Sequence, residues 1–177
     1  MTSAALFPGS FDPPTLGHLN MIERACATFD RVIVGIGHNH RKKGLFTAEE
    51  RKELLQEVMR GEPYAEQVQV VIFSGLMVDY ARQNGIQTIV RGLRQVSDFE
   101  FELRMALTNR RLASDIDTHF LMPDEPHTFV SATLVREVAQ FGGDLSSFVP
   151  DAVAMALRKK MSAGEPSDEA GRTSTQP

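Results

Sequence analysis

The stretch LFPGSFDPPTLGHLNMIERA, residues 6–25, decides how the chain is read. The apolar run AALF at 4–7 is ended by Pro8 and Gly9, which predicts a buried strand breaking into a loop. Thr15 is placed to cap a helix in which Leu16, Leu19, Ile22 and Ala25 recur at helical spacing. A strand passing through a Gly/Pro loop directly into a helix is the unit from which α/β folds are built.

The same alternation continues along the chain. RVIVGIG (31–37) is a β-branched run of the kind buried on both faces of a parallel sheet. FTAEERKELLQEVMRG (46–61) opens on a Thr47–Glu50 capping box and ends at Gly61. VQVVIF (68–73) predicts a strand, and LMVDYARQNG (76–85) a short helix closed by Gly85. The strand QTIVRG (87–92) precedes a long helix, SDFEFELRMALTNRRLAS (97–114), with Ser97 and Glu100 as a second capping box. THFLM (118–122) predicts a fifth strand ended by Pro123, and Ser131 caps ATLVREVAQF, which stops at Gly142-Gly143. Pro150 suits the start of a last helix, DAVAMALRKKM. The expected fold is therefore a single Rossmann-like α/β domain over residues 1–161, with a five-stranded, mainly parallel sheet and helices on both faces. Residues 162–177 carry no apolar periodicity and read as a disordered tail.

Composition narrows the function. A chain of 177 residues with 42% apolar content can bury a sizeable core in one domain. The net charge of −4 argues against a broad nucleic-acid surface. No apolar run reaches membrane-spanning length, so no membrane partner is expected. Cys26, the single cysteine, can form no internal disulfide, which suits a cytoplasmic location.

In open parallel sheets, ligands bind at the carboxyl ends of strands, near the point where strand order reverses. The loop after the first strand offers Gly9 for close backbone approach and a hydroxyl on Ser10, and the helix start at Thr15 offers free N–H groups to an anion. His18 sits in that first helical turn; alone it would read as an ordinary surface histidine, but its surroundings favour phosphate. After the fourth strand, Arg91 and Arg94 flank Gly92, which suits multi-point phosphate recognition or, alternatively, an ion-pair cluster with Asp98, Glu100 and Glu102. Ser131 and Thr133 open a second hydroxyl-bearing helix start, and HNHRKK (38–43) adds cations, with Lys42 or Lys43 able to capture phosphate. His38 and His40 lack nearby Cys or acidic partners for a structural zinc site, so metal ligands remain unassigned. There is no P-loop, and GIGHNH (35–40) lacks the third glycine of a dinucleotide fingerprint. This inventory suits charge stabilisation and positioning without a covalent intermediate, as in phosphoryl and nucleotidyl transfer.

GSFDPPTLGH resembles the T-x-G-H signature of nucleotidyltransferases related to class I aminoacyl-tRNA synthetases. Taken with RKKGLFTAEER, FSGLMVDYA, VRGLRQVSDFEFE and VSATLVREVA, in that order, the chain resembles the bacterial phosphopantetheine adenylyltransferase family over residues 4–160. The resemblance implies transfer of AMP from ATP to 4′-phosphopantetheine, with Mg²⁺, in a homohexamer. It implies that His18, with Lys42 and Arg94, carries the chemistry. Ser10, Lys42, Met77, Arg91, Met105 and Asn109 would bind the acceptor. Ser10, Phe11, His18, Gly92, Leu93, Arg94, Glu102 and the run His127, Thr128, Phe129, Val130, Ser131, Ala132 and Thr133 would hold ATP. Some members carry Trp where this chain has His127, and Ser-Ser-Ser in place of Ser131-Ala132-Thr133. Ala132 offers no side-chain donor, so its share falls to backbone or to Thr133. An enzyme acting on nicotinamide mononucleotide would share T-x-G-H, and a non-catalytic nucleotide-binding regulator would tolerate loss of His18 or Lys42.

Overall fold

The computed structural model describes residues 3–38 and 44–164. Five strands, β1 (Ala4–Gly9), β2 (Arg31–Gly37), β3 (Val68–Phe73), β4 (Thr88–Gly92) and β5 (Asp117–Leu121), form one sheet in the order β3-β2-β1-β4-β5. Every pairing is parallel, so the expected mainly parallel sheet is parallel throughout its described strands. The helices are α1 (Leu16–Cys26), α2 (Ala48–Val58), α3 (Met77–Gln83), α4 (Val96–Leu112), α5 (Ala132–Gln140) and α6 (Asp151–Gly164).

Alternation along the strands sends side chains to two covered faces. Ala5 and Phe7 of β1, with Val32, Val34 and Ile36 of β2, pack beneath Met21, Ile22 and Ala25 of α1 and Leu55 of α2. Leu6, Ile33 and Ile89 point to the opposite face, beneath Val78 and Ala81 of α3 and Ala113 and Ile116 beyond α4. Each fully buried Val, Leu or Ile side chain among them contributes about 1.5–3 kcal/mol relative to exposure. A third cluster joins Leu54 of α2, Val135 of α5, and Val153 and Leu157 of α6. The connection between α5 and α6, which adds Leu145 and Val149 to this cluster, meets the start of α1, where Leu16 N–H donates to Phe148 O at 2.9 Å.

Besides one-residue shifts at the ends of strands such as β4 and β5, three boundaries differ from the sequence-based expectation in ways that have a local cause or consequence. β1 does not stop at Phe7: it continues through Pro8 and Gly9, opposite Gly35 and Ile36 of β2. Its pairing with β4 involves only Ala5 and Leu6, so the missing N–H of Pro8 faces no β4 partner. α4 starts at Val96, before Ser97, and the Ser97–Glu100 box does not form. Instead the Asp98 carboxylate accepts from Arg94 N–H and Nε at 3.2 Å, drawing the first turn upstream. α6 runs on to Gly164, past the boundary expected at 161, and the remainder of the expected tail lies outside the described residues.

α4 is unusual in what it leaves outside. Its buried positions are polar, Glu102 and Asn109, whereas Val96, Phe99, Phe101, Leu107 and Leu112 are exposed. Among the described residues, no helix is long and apolar enough to cross a membrane.

Candidate active site

β1 and β4 separate beyond Leu6 and Ile89, and the order β2-β1-β4 makes this the point where the chain crosses from one half of the sheet to the other. The gap at their carboxyl ends is a cleft of about 300 Å³. It is lined by the β1–α1 turn, the first turn of α1, the end of β4, Glu102 of α4 and the start of α5. The starts of both α1 and α5 line it, and the N-terminal turn of a helix is the end that favours an anion.

The β1–α1 turn is held rigidly. Phe11 adopts a left-handed conformation, φ 48°, which is strained for a non-glycine residue. Its fully buried ring meets Phe7 edge-on, with centroids 5.7 Å apart, and lies 4.9 Å from the His18 ring. A Cβ on Gly9 would lie 2.8 Å from the Phe11 ring, so the turn requires glycine there. Buried Arg51 donates to Ser10 O at 2.8 Å and to Phe46 O at 3.0 Å. The Asp12 carboxylate accepts from Leu45 and Phe46 N–H, both at 2.9 Å, and Arg136 donates to Asp12 O. These contacts over-determine a backbone that would otherwise relax.

His18 completes the helix start in a way the spacing alone did not reveal. Thr15 caps α1, its Oγ1 accepting from His18 N–H at 3.3 Å. In return the Thr15 N–H donates to His18 Nδ1 at 3.1 Å, so the imidazole is the reciprocal half of a capping box. A ring nitrogen that accepts from a backbone N–H carries no proton, which leaves the proton of a neutral ring on Nε2. Burial, and then the positive charge of Arg94, push the His18 pKa down to about 4. At neutral pH the ring is therefore uncharged and offers one Nε2–H donor.

Of the two sequence-based readings of Arg91 and Arg94, at and just beyond the end of β4, the structure shows the ion-pair cluster, formed with Glu102 and Asp98. Arg91 forms a two-point ion pair with Glu102, 2.7 Å from Nε and 2.6 Å from Nη2, and a third bond from Nη1 to Pro8 O at 2.9 Å. That leaves two of its five N–H groups without a partner among the described residues. Arg94 pairs with Asp98 at 3.2 Å and reaches Val130 O at 3.4 Å. Both also line the cleft.

The cleft thus gathers Ser10, Phe11, His18, Arg91, Gly92, Arg94, Glu102, Val130, Ser131, Ala132 and Thr133. Ser131 caps α5, its hydroxyl accepting from Leu134 N–H at 3.2 Å. Leu93 and Thr128 line an adjoining apolar hollow instead, and Phe129 is exposed. His127 is half-buried, and its Nδ1 is buried without a hydrogen-bond partner among the described residues. Met77 and Asn109 meet each other, with Asn109 Nδ2 at 3.7 Å from Met77 Sδ, but they lie outside the cleft lining, as does half-buried Met105. Lys42, Lys43 and His40 fall outside the described residues.

Four polar residues around the site were not expected from sequence. Arg51 had a legible signal, because it sits with Ala48, Leu54 and Leu55 on the buried face of α2. Asp12, Asn20 and Arg136 had none, since their partners come from distant segments.

Comparison with known proteins gives a consistent result. A model of the cytidylyltransferase-like family matches residues 6–138. A phosphopantetheine adenylyltransferase of Alkaliphilus metalliredigens is 48% identical over 155 residues, covering 88% of this chain and 97% of that protein. One from Anaeromyxobacter sp. (strain K) is 48% identical over 161 residues, covering 91% and 96%. Among solved structures, the bifunctional NMN adenylyltransferase/ADP ribose pyrophosphatase of Francisella tularensis, complexed with AMP and a Mn ion, shares the fold with a TM-score of 0.67. At 19% identity, over 92% of this chain and 50% of that one, the likeness concerns the fold alone.

Proposed function

This chain belongs to the phosphopantetheine adenylyltransferases of the cytidylyltransferase-like family, and on that premise we propose how its cleft performs the transfer. The enzyme moves AMP from ATP to 4′-phosphopantetheine, giving dephospho-coenzyme A and pyrophosphate. The observation that carries the mechanism is the neutral His18 ring, its Nδ1 occupied by Thr15 and its Nε2–H left to donate, beside Arg91 and Arg94.

An acceptor phosphate oxygen attacks the α-phosphorus of ATP, that P–O bond forms as the bond to the bridging oxygen breaks, and pyrophosphate leaves with the electron pair. Charge shifts onto the α-phosphoryl oxygens and the leaving group. His18 Nε2–H donates to the α-phosphoryl oxygen and Arg94 supplies positive charge beside it, a preorganised arrangement that costs no reorganisation during the step. The N-termini of α1 and α5 receive the phosphates, with Ser131 and Thr133 hydroxyls at the second. Arg91, oriented by Glu102, turns its remaining N–H groups to the acceptor phosphate, with Lys42 as a second cation and Ser10 beside both substrates. Gly92, Leu93 and the run from His127 hold the nucleoside, and Met77, Met105 and Asn109 accompany the pantetheine arm.

Mg²⁺ enters with the substrate as MgATP. The carboxylates nearest the cleft are already committed, Glu102 to Arg91, Asp98 to Arg94 and Asp12 to backbone N–H groups. Among the described residues no group of three His, Cys, Asp or Glu could hold a metal ion. A Mg²⁺ held by phosphate oxygens and water suits such a site, and it supplies charge neutralisation. The exposed apolar residues of α4 support burial of that helix between subunits, which suits a homohexamer. The reaction draws on ATP, and we assign it to the cytoplasm, without nucleic-acid or membrane partners.

Pyrophosphate release from ATP and Mg²⁺ tests this reading, with 4′-phosphopantetheine or nicotinamide mononucleotide as acceptor. Release is expected with the first alone. Release with the mononucleotide alone would overturn the acceptor, and none from folded protein would favour a nucleotide-binding regulator.

A further inference from the structure

Asn20 is a buried polar residue on α1, two positions beyond His18, and the transfer mechanism makes no use of it. Its amide makes two bonds to Asp124. The Asn20 Oδ1 accepts from Asp124 N–H at 2.8 Å, and Asn20 Nδ2 donates to Asp124 Oδ2 at 2.6 Å. Arg24, one turn further along α1, donates to Asp124 Oδ1 at 2.7 Å. That outer ion pair is solvent-exposed and adds little, so the buried amide carries the contact.

Asp124 stands where the chain leaves β5 and begins the 3-10 turn Glu125–His127, whose His127 N–H donates to Asp124 O at 2.9 Å. A second contact lies one turn earlier on the same face of α1. A Cβ on Gly17 would lie 3.5 Å from both His127 O and Val130 O, so this segment rests closely against the helix backbone. Val130 O in turn receives Arg94, and Ser131 starts α5. The run from Asp124 to Ser131 is thus hydrogen-bonded to the helix that carries His18 at Asn20 and lies alongside it at Gly17.

We propose that Asn20 and Asp124 are positioning residues that set the nucleotide side of the cleft, holding the segment 124–131 at a fixed separation from His18 and thereby determining affinity for a nucleoside triphosphate. The inference rests on the functional reading above for the identity of the nucleotide as the transferred group's donor. The pair acts on one wall only. The acceptor side, built by Arg91 and the β1–α1 turn, is anchored separately through Glu102, Pro8 and Arg51. Disturbing the pair should therefore weaken ATP and spare 4′-phosphopantetheine, which a general loss of folding would not do.

The chemistry of the pair supplies its own control. The position on α1 must accept one N–H and complement the side chain opposite. Asn20→Asp sets two carboxylates against each other at a distance where a hydrogen bond now stands. The exchange Asn20→Asp with Asp124→Asn returns a carboxylate–amide pair with its polarity reversed, and the carboxylate on α1 still accepts the backbone N–H of position 124.

Calorimetric titration of folded full-length protein with MgATP, and separately with 4′-phosphopantetheine, tests the proposal. Asn20→Asp is expected to raise the ATP Kd about tenfold or more and leave the acceptor Kd within about twofold. The exchanged double variant is expected to restore the ATP Kd to within about threefold of wild type. Asn20→Ala removes both bonds without adding charge and reads the same quantity if the charged variant does not fold. Unchanged ATP affinity in the single variants, equal weakening of both ligands, or failure of the exchange to restore ATP binding would overturn it. Wild-type protein that binds ATP but does not turn over 4′-phosphopantetheine would refute the acceptor assignment and leave this ATP test intact.

Discussion

The backbone N–H of Thr15 donates to Nδ1 of His18 across 3.1 Å. A bond that closes the first turn of α1 therefore also decides which imidazole nitrogen keeps the proton of the neutral ring. Thr15 and His18 are the two halves of one capping box. Protonating Nδ1 would break the bond, which agrees with a pKa lowered to about 4 by burial and by Arg94.

Replacing His18 by Ala removes the Nε2–H donor. If the ring stabilises charge that develops only in the transition state, kcat falls roughly 10²–10³-fold. ATP affinity, measured by calorimetry, stays close to wild type. A kcat within about threefold of wild type would refute the role.

The lowered pKa has a sign that can be checked by stability. The unfolded chain takes up this proton near the ordinary imidazole value of 6.5 and the folded one near 4, so between those values the unfolded state binds more protons. The stability contribution is complete above about pH 6.5 and declines as pH falls toward 4. Urea midpoints collected from pH 7 to 4 should show wild type losing up to about 3 kcal/mol more than His18→Gln. Parallel curves for the two proteins would contradict the neutral, buried ring. A kinetic limb near pH 6.5 that disappears in the variant would do the same.

Arg91 and Glu102 form a two-point pair whose carboxylate side chain is only 10% exposed. Arg91→Ala leaves that carboxylate buried and unpaired, at a cost of about 3 kcal/mol. Weakened acceptor binding by this variant is therefore read together with its thermal midpoint. Removing both partners, Arg91→Ala with Glu102→Ala, should recover part of the stability and none of the acceptor affinity. Recovery of acceptor binding in the double variant would show that Arg91 does not touch the acceptor phosphate.

Gly9→Ala brings a methyl group to 2.8 Å from the Phe11 ring. That ring is fully buried and already packs against Phe7 and His18. The expected loss is about 1–3 kcal/mol from overpacking, seen as a lower denaturation midpoint. Because Phe11 borders His18, kcat should fall as well. A variant as stable and active as wild type would mean that the turn is looser than its contacts suggest.

Much of this molecule is legible in local spacing. β2 and β3 lie where the apolar runs 31–37 and 68–73 predict them, and the Thr15, Thr47 and Ser131 caps all form. These features depend on residues within one turn or one strand, so the sequence carries their whole cause. The Ser97–Glu100 box fails for the opposite reason. A competing acceptor, Asp98, is equally local, and its pairing with Arg94 is favoured only because Arg94 is held at the end of β4 toward Val130. The acid that pairs with Arg91 was similarly undecided among Asp98, Glu100 and Glu102 until the path of α4 turned Glu102 inward.

By itself, then, LFPGSFDPPTLGHLNMIERA determined a strand, a proline-bearing turn and a capped helix start, and with them the α/β fold class. Periodicity and capping act over a few residues, so they survive in a linear text. Tertiary structure decided which partners those residues met. It set Arg51 on the Ser10 carbonyl and Glu102 on Arg91, and it brought Asn20 to Asp124, 104 positions away. Such pairings depend on how separate segments pack, and several chemically equivalent partners were available for each until the sheet order and the burial of each face selected one.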